Sequence, residues 1–168
     1  MPHFRLGSPT RKWFSKIRKT GVVLEFDFDL YYLCALLGLA SGQTSAPEDA
    51  TDVIDRFIAD YTETQHLLLG LFVLSELASR GIDPSERSDM QRIMDQLLAP
   101  NDLTGLSSDG MSRLNGYASG GYEYLAEKYG KPPEYVETFL QRYTTILNEA
   151  VAGNVEWKQL GMKVSSLS

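Results

Sequence analysis

This 168-residue sequence holds one cysteine, two histidines and no apolar run of membrane-spanning length, and each shortage removes a class of function. A lone cysteine, Cys34, excludes an internal disulfide framework, so the fold must rest on hydrophobic burial, for which 43% apolar residues over this length suffice. Its setting in "LYYLCALLGLA" reads as a small core residue in preference to a reactive thiol. His3 and His66 stand far apart without companion ligands, which gives no zinc-type spacing. His66, three residues after Glu63, reads as a helix-surface or hydrogen-bonded residue. There is no glycine-serine elbow, and "GYASGG" lacks the lysine of a phosphate-binding loop. The longest apolar stretches, "LYYLCALLGLA" and "LLLGLFVL", fall short of the roughly 20 residues needed to span a bilayer, and no cleavable signal pattern opens the chain. We therefore expect a cytoplasmic protein without a membrane span, a metal or a cofactor.

A second shortage is local. No acidic residue precedes Glu25, whereas Arg5, Arg11, Lys12, Lys16, Arg18 and Lys19 all fall in that segment, in a chain whose net charge is −6. An acidic body repels nucleic acid, so any contact with DNA falls to this arm or to a partner. "GSPTRKWFSKIRKTG" predicts a short basic amphipathic helix, with Ser8 as N-cap, Pro9 at the first helical position, and Trp13, Phe14 and Ile17 on one side. Such a helix suits the chain's own acidic core, an acidic partner, a phosphate backbone or an anionic lipid surface. A solvated lead-in is the remaining reading.

Periodicity sets the rest. "VVLEF" is a brief strand-like run, and Asp27 or Asp29 caps a helix ending near Gly42. "PEDATD" predicts a helix start with Glu48, Asp49 and Asp52 at its positive end, continued by Val53, Ile54, Phe57, Ile58 and Tyr61 and broken near Tyr61. Leu67, Leu68, Leu71, Val73, Leu74 and Leu77 leave little polar face, which predicts a central buried helix stopped by Gly81 and Pro84. Helices over Ser85–Leu98, through the glycine-rich segment after "APNDLTGLSSDG", and through "PPEYVETFLQRYTTILNEAV" follow. The tail after Gly153 is weakly patterned, with Trp157 able to dock. The expected fold is all-α, one bundle of about five or six helices. We divide it into a basic arm over 1–21, a helical core over 22–152 and a tail over 153–168.

Two features remain unexplained by pattern alone. Asp27 and Asp29 are a candidate carboxylate pair, but helix capping accounts for them without catalysis. "LNGYASGGYEYL" sets Gly116, Gly120 and Gly121 inside a helical pattern, where each interior glycine costs roughly 1 kcal/mol relative to alanine. Gly38 and Gly42 repeat the four-residue spacing, so we expect the two helices to cross at their glycines. A partner's side chain or a neighbouring copy filling the notch is the alternative. Tyr117, Tyr122, Tyr124 and Tyr129 surround this segment and read mostly as core or core rim, though such density also suits a binding surface.

"FDFDLYYLCALLGLASGQ" and "LNGYASGGYEYLAEKY" resemble, in order and separation, two elements of the DNA phosphorothioation-associated protein four family, small proteins encoded beside bacterial systems that place sulfur in the DNA backbone and restrict unmodified DNA. The likeness spans roughly residues 22 to 147. A basic run following the family's first glycine element is replaced here by "QTSAPEDATD", which leaves no basis for a nucleic-acid contact at that place, and the arm at residues 5 to 19 is the available substitute. The resemblance implies an accessory role in DNA modification or phage defence and brings no catalytic residue with it. Our expectation is a non-enzymatic adaptor binding a protein partner through Tyr117, Gly120, Gly121, Tyr122 and Tyr124, with homo-oligomerisation open. The rival reading is a DNA-binding regulator acting through Arg11, Lys12, Lys16, Arg18 and Lys19.

Overall fold

The computed structural model describes residues 3–19 and 23–166, with side chains placed through residue 161. The fold is mostly helical, 65% of it, in keeping with the expected all-α class, and the described residues form eight helices where five or six were expected. In order these are β1 (Phe4–Leu6), α1 (Ser8–Trp13), α2 (Ser15–Arg18), α3 (Asp27–Ser41), β2 (Thr51–Ile54), a single 3-10 turn (Ala59–Tyr61), α4 (Gln65–Ser79), α5 (Arg87–Leu97), α6 (Ser108–Tyr129), α7 (Val136–Gly153) and α8 (Val155–Ser166).

The central pair is α3 and α6, which share the most extensive contact between any two elements. Both sides of α3 are buried, with Phe28, Leu30, Tyr31, Cys34, Leu37 and Leu39 all inaccessible, so it lies in the middle of the molecule with α7 also against it. Its first turn is fixed by Asp29, whose Oδ2 accepts the Phe26 N–H at 2.7 Å, and it ends on Gly42 in the left-handed conformation. The central position predicted for the leucine-rich segment therefore belongs to α3. The leucine-rich helix, α4, keeps Leu68, Phe72 and Leu77 inside but leaves Leu67 62% and Leu74 41% exposed.

The predicted crossing at glycines is present, with a shifted pairing. A Cβ on Gly38 would collide with the Tyr117 carbonyl, and one on Gly121 with the Cys34 carbonyl, so two backbones meet with no side chain between them. Gly120 meets the Gln43–Thr44 backbone just beyond α3, and the Ser45 N–H donates to the Gly116 carbonyl at 3.1 Å. Gly42 has open space around it and serves only as the cap.

The helix expected from residue 48 onward is absent. Thr51–Ile54 pairs antiparallel with Phe4–Leu6, Phe4 opposite Ile54 and Leu6 opposite Thr51. Phe4 then inserts edge-on among Phe28, Tyr31 and Phe57, with centroids 5.0 to 5.1 Å away. Asn115 of α6 fastens the same strand: its Oδ1 accepts from Arg5 N–H and Tyr31 Oη–H, and its Nδ2 donates to the His3 carbonyl. The run around "VVLEF" forms no strand at the described residues 23–26.

The arm is docked on the body. Gly7, not Ser8, occupies the N-cap of α1, and Trp13, Phe14 and Ile17 enter the same hydrophobic cluster as α3, α6 and α7. The arm–core boundary placed at residues 21 and 22 lies outside the described residues. The tail is helical as α8, held by Asn154, whose Nδ2 donates to the Ala40 carbonyl, and by Trp157, whose Nε1 donates to Ser75 Oγ at 3.2 Å.

Candidate interaction surfaces

The glycine-and-tyrosine set divides between interior and surface. Gly120 and Gly121 are sealed by the chain's own backbone, and Tyr117 is buried with its hydroxyl donating to Glu76 Oε1 at 3.0 Å. These three are joints of the fold, which corrects their assignment to a partner surface. Tyr122 and Tyr124 are half-buried; Tyr122 meets Trp13 edge-on at 6.3 Å, and the Lys128 ammonium sits 5.5 Å from the Tyr124 ring centroid.

The basic set divides in the same way. Arg11 Nε donates to Asp27 Oδ2 at 2.8 Å while its Nη1 donates to the Leu6 carbonyl, and Arg18 Nη1 donates to Asp27 Oδ1. Burial opposes ionisation of Asp27, but Arg11 and then Arg18 outweigh it and hold the carboxyl below its ordinary value. Arg11 and Arg18 thus clamp the arm to the start of α3. Lys16 reaches Glu134 in the α6–α7 connector at 3.1 Å, and Lys12 and Lys19 are exposed.

The candidate carboxylate pair is structural on both counts. Asp27 holds the arm, and Asp29 accepts the Phe26 N–H through one oxygen and the Tyr61 hydroxyl, at 2.6 Å, through the other. Burial, reinforced by Asp29, raises the Tyr61 phenol above its usual value. Asp52, expected at a helix start, instead meets His3 and Arg5 beside the strand pair. Cys34 is fully enclosed and its thiol pushed upward by burial, as a core residue requires.

One polar centre gave no sequence signal. Glu76 of α4, only 3% exposed, receives Arg80 Nη2 and Arg113 Nη1 on Oε2, at 2.9 and 3.1 Å, besides the Tyr117 hydroxyl on Oε1. Burial and the adjoining Glu76 charge raise the Tyr117 phenol. A cleft of about 250 Å³ opens beside it, lined also by Thr44, Ser45 and Gly116. Every Glu76 oxygen is engaged, so the group fastens α4 to α6. Glu76 sits within "SELAS", a pattern shared by ordinary surface helices, and Arg113 is distant in sequence.

The outer side of α4 is different in kind. Leu71 and Leu74 form an apolar groove of about 310 Å³ with Trp157 and Leu160 of α8, and the exposed Leu67 stands one turn before Leu71. Among the described residues no group of three or more His, Cys, Asp or Glu is placed to hold a metal ion, and no helix is long and apolar enough to cross a membrane. No family model, curated protein or solved structure matches the chain.

Proposed function

We propose that this protein is a non-enzymatic adaptor, an accessory subunit of a bacterial DNA-modification or anti-phage defence complex that works by binding another protein subunit. The observation that carries the adaptor reading is the exposed leucine face of α4 with its groove against α8. Contiguous apolar surface of this kind marks association sites. The carboxylates that the fold gathers, Asp27, Asp29 and Glu76, are each engaged by internal donors, which accords with a structural role for them. The defence context rests on the likeness of "FDFDLYYLCALLGLASGQ" and "LNGYASGGYEYLAEKY" to the phosphorothioation-associated family.

Affinity purification of the tagged chain from its native host, read by mass spectrometry, tests both parts. The proposal expects a subunit of a DNA-modification or restriction system, recovered by the native chain and lost with Leu67→Asp/Leu74→Asp. Recovery of the same subunit by that variant removes the α4 face from the account. A partner unrelated to DNA modification or defence removes the context.

A further inference from the structure

We propose that the outer face of α1 and α2, extended by the α6–α7 connector, docks on the phosphate backbone of duplex nucleic acid, with Lys12, Lys16, Lys19 and Lys131 making the contact and Glu134 restraining it. This stands apart from the protein-binding face on α4 and does not depend on it. Across the two short helices and Lys19, which caps α2, the exposed positions are Lys12, Ser15, Lys16 and Lys19, whereas Trp13, Phe14 and Ile17 are buried. Trp13 packs edge-on against Tyr129 at 5.5 Å, and Phe14 against Phe139 at the same distance, so the outward direction of the lysines is fixed by α6 and α7. Arg11 and Arg18 hold the arm through Asp27 and leave the three lysines on the outside.

Lys16 reaches the connector through Glu134, and Lys131 lies near enough to act on that same carboxylate, which the hydrogen bond from Lys16 and then the Lys131 charge keep below its usual value. The Glu134 carboxylate thus faces two of the four ammonium groups, Lys16 and Lys131. Elsewhere the chain is acidic, its net charge being −6, so a polyanion is steered toward this face and away from the rest.

The chemistry of the row favours phosphate over other partners. Lysine acts as a compact point charge suited to phosphate oxygens, and Lys12, Lys16 and Lys19 are the charged groups that this segment turns outward, with Tyr135 exposed beside Glu134 in the connector. Lipid docking needs an apolar face turned outward, whereas the apolar face of these helices is turned in. The exposed Val23 and Phe26 flank the acidic Glu25, a charge that an anionic membrane repels.

The test is fluorescence anisotropy with the full chain and short labelled duplexes of two unrelated sequences, across a range of potassium chloride. Three to four phosphate contacts predict a slope of log K against log salt of about −3, or about 60-fold weaker binding between about 50 and about 200 mM, with no sequence preference. Lys12→Gln/Lys16→Gln/Lys19→Gln should weaken binding at least about tenfold at the lower salt and bring the slope to about −1. Arg87→Gln/Arg92→Gln/Lys158→Gln, an equal charge change on α5 and α8, should leave binding nearly unchanged. Glu134→Gln should tighten binding, because it frees Lys16 and removes the opposing charge. The proposal is overturned by no duplex binding at about 50 mM, by equal losses from the two triple variants, or by weaker binding from Glu134→Gln. Tighter binding to phosphatidylserine vesicles than to duplex at equal salt also overturns it and reassigns the face to lipid.

Discussion

Gly121 of α6 rests against the backbone carbonyl of Cys34 on α3, and one helical turn along that contact Gly38 of α3 rests against the carbonyl of Tyr117 on α6. The two helices exchange glycines across their crossing. This reciprocal contact lets the most buried pair of helices approach without intervening side chains, and it closes the surface to outside molecules.

Alanine at either position drives a methyl into backbone, which no rotamer change relieves. We predict that Gly38→Ala and Gly121→Ala each lower stability by about 2 to 4 kcal/mol in urea unfolding. Gly70, in mid-helix on α4 with open space around it, supplies the contrast. Gly70→Ala should raise stability by about 0.5 to 1 kcal/mol, since only helix propensity changes.

Asp27 ties the arm's docking to pH. Its carboxyl is held below the ordinary value in the folded chain, so its contribution is complete above the unfolded value of 3.8 and disappears as pH falls through the folded one. Asp27→Asn should be less stable than the native chain at neutral pH by about 1 to 2 kcal/mol, and the two should converge in acid. A gap that persists at the lowest pH contradicts the clamp.

At the Glu76 centre, Tyr117→Phe should cost about 1 kcal/mol and Glu76→Gln about 2 to 3 kcal/mol, less than a wholly buried ion pair because Arg113 is 42% exposed and rehydrates. A double-mutant cycle between Glu76 and Tyr117 should show coupling well above zero. Additive losses would mean that the Tyr117 hydroxyl is not held by Glu76.

Cys34 offers a probe of the core. Burial keeps its thiol protonated and covered, so an aromatic disulfide reagent should react at least about a thousandfold more slowly with the folded chain than with the unfolded one. The reaction should accelerate in Gly121→Ala, whose defect lies against the Cys34 carbonyl.

The helices α5, α6 and α7 were legible because each carries its own apolar period, α3 because an apolar run follows a capping aspartate and ends on a glycine, and the crossing because glycines in mid-helix demand a reason. What failed was long-range. Val53, Ile54, Phe57, Ile58 and Tyr61 imitate a helical face, yet β2 is selected by pairing with Phe4–Leu6, about fifty residues earlier. Asp49, with φ of 43°, marks the backbone reversal before that strand and resembles an ordinary helix-start acid in the sequence. Leucine density misplaced the centre of the molecule, because α4 is apolar on its outer side as well. Of the ten proposed contact residues, Tyr117, Gly120, Gly121, Arg11 and Arg18 turn inward or bind the body, since a partner-facing and a fold-facing tyrosine or arginine are identical until the neighbouring helix is in place.

If the α3–α6 crossing is closed and recognition belongs to the outer side of α4, amide hydrogen exchange on the chain with and without its purified protein partner separates the two faces directly. New protection is predicted across Leu67–Leu74 and Trp157–Gly161, with residues 114–129 unchanged. Protection appearing in 114–129 while α4 stays unaltered would contradict the account.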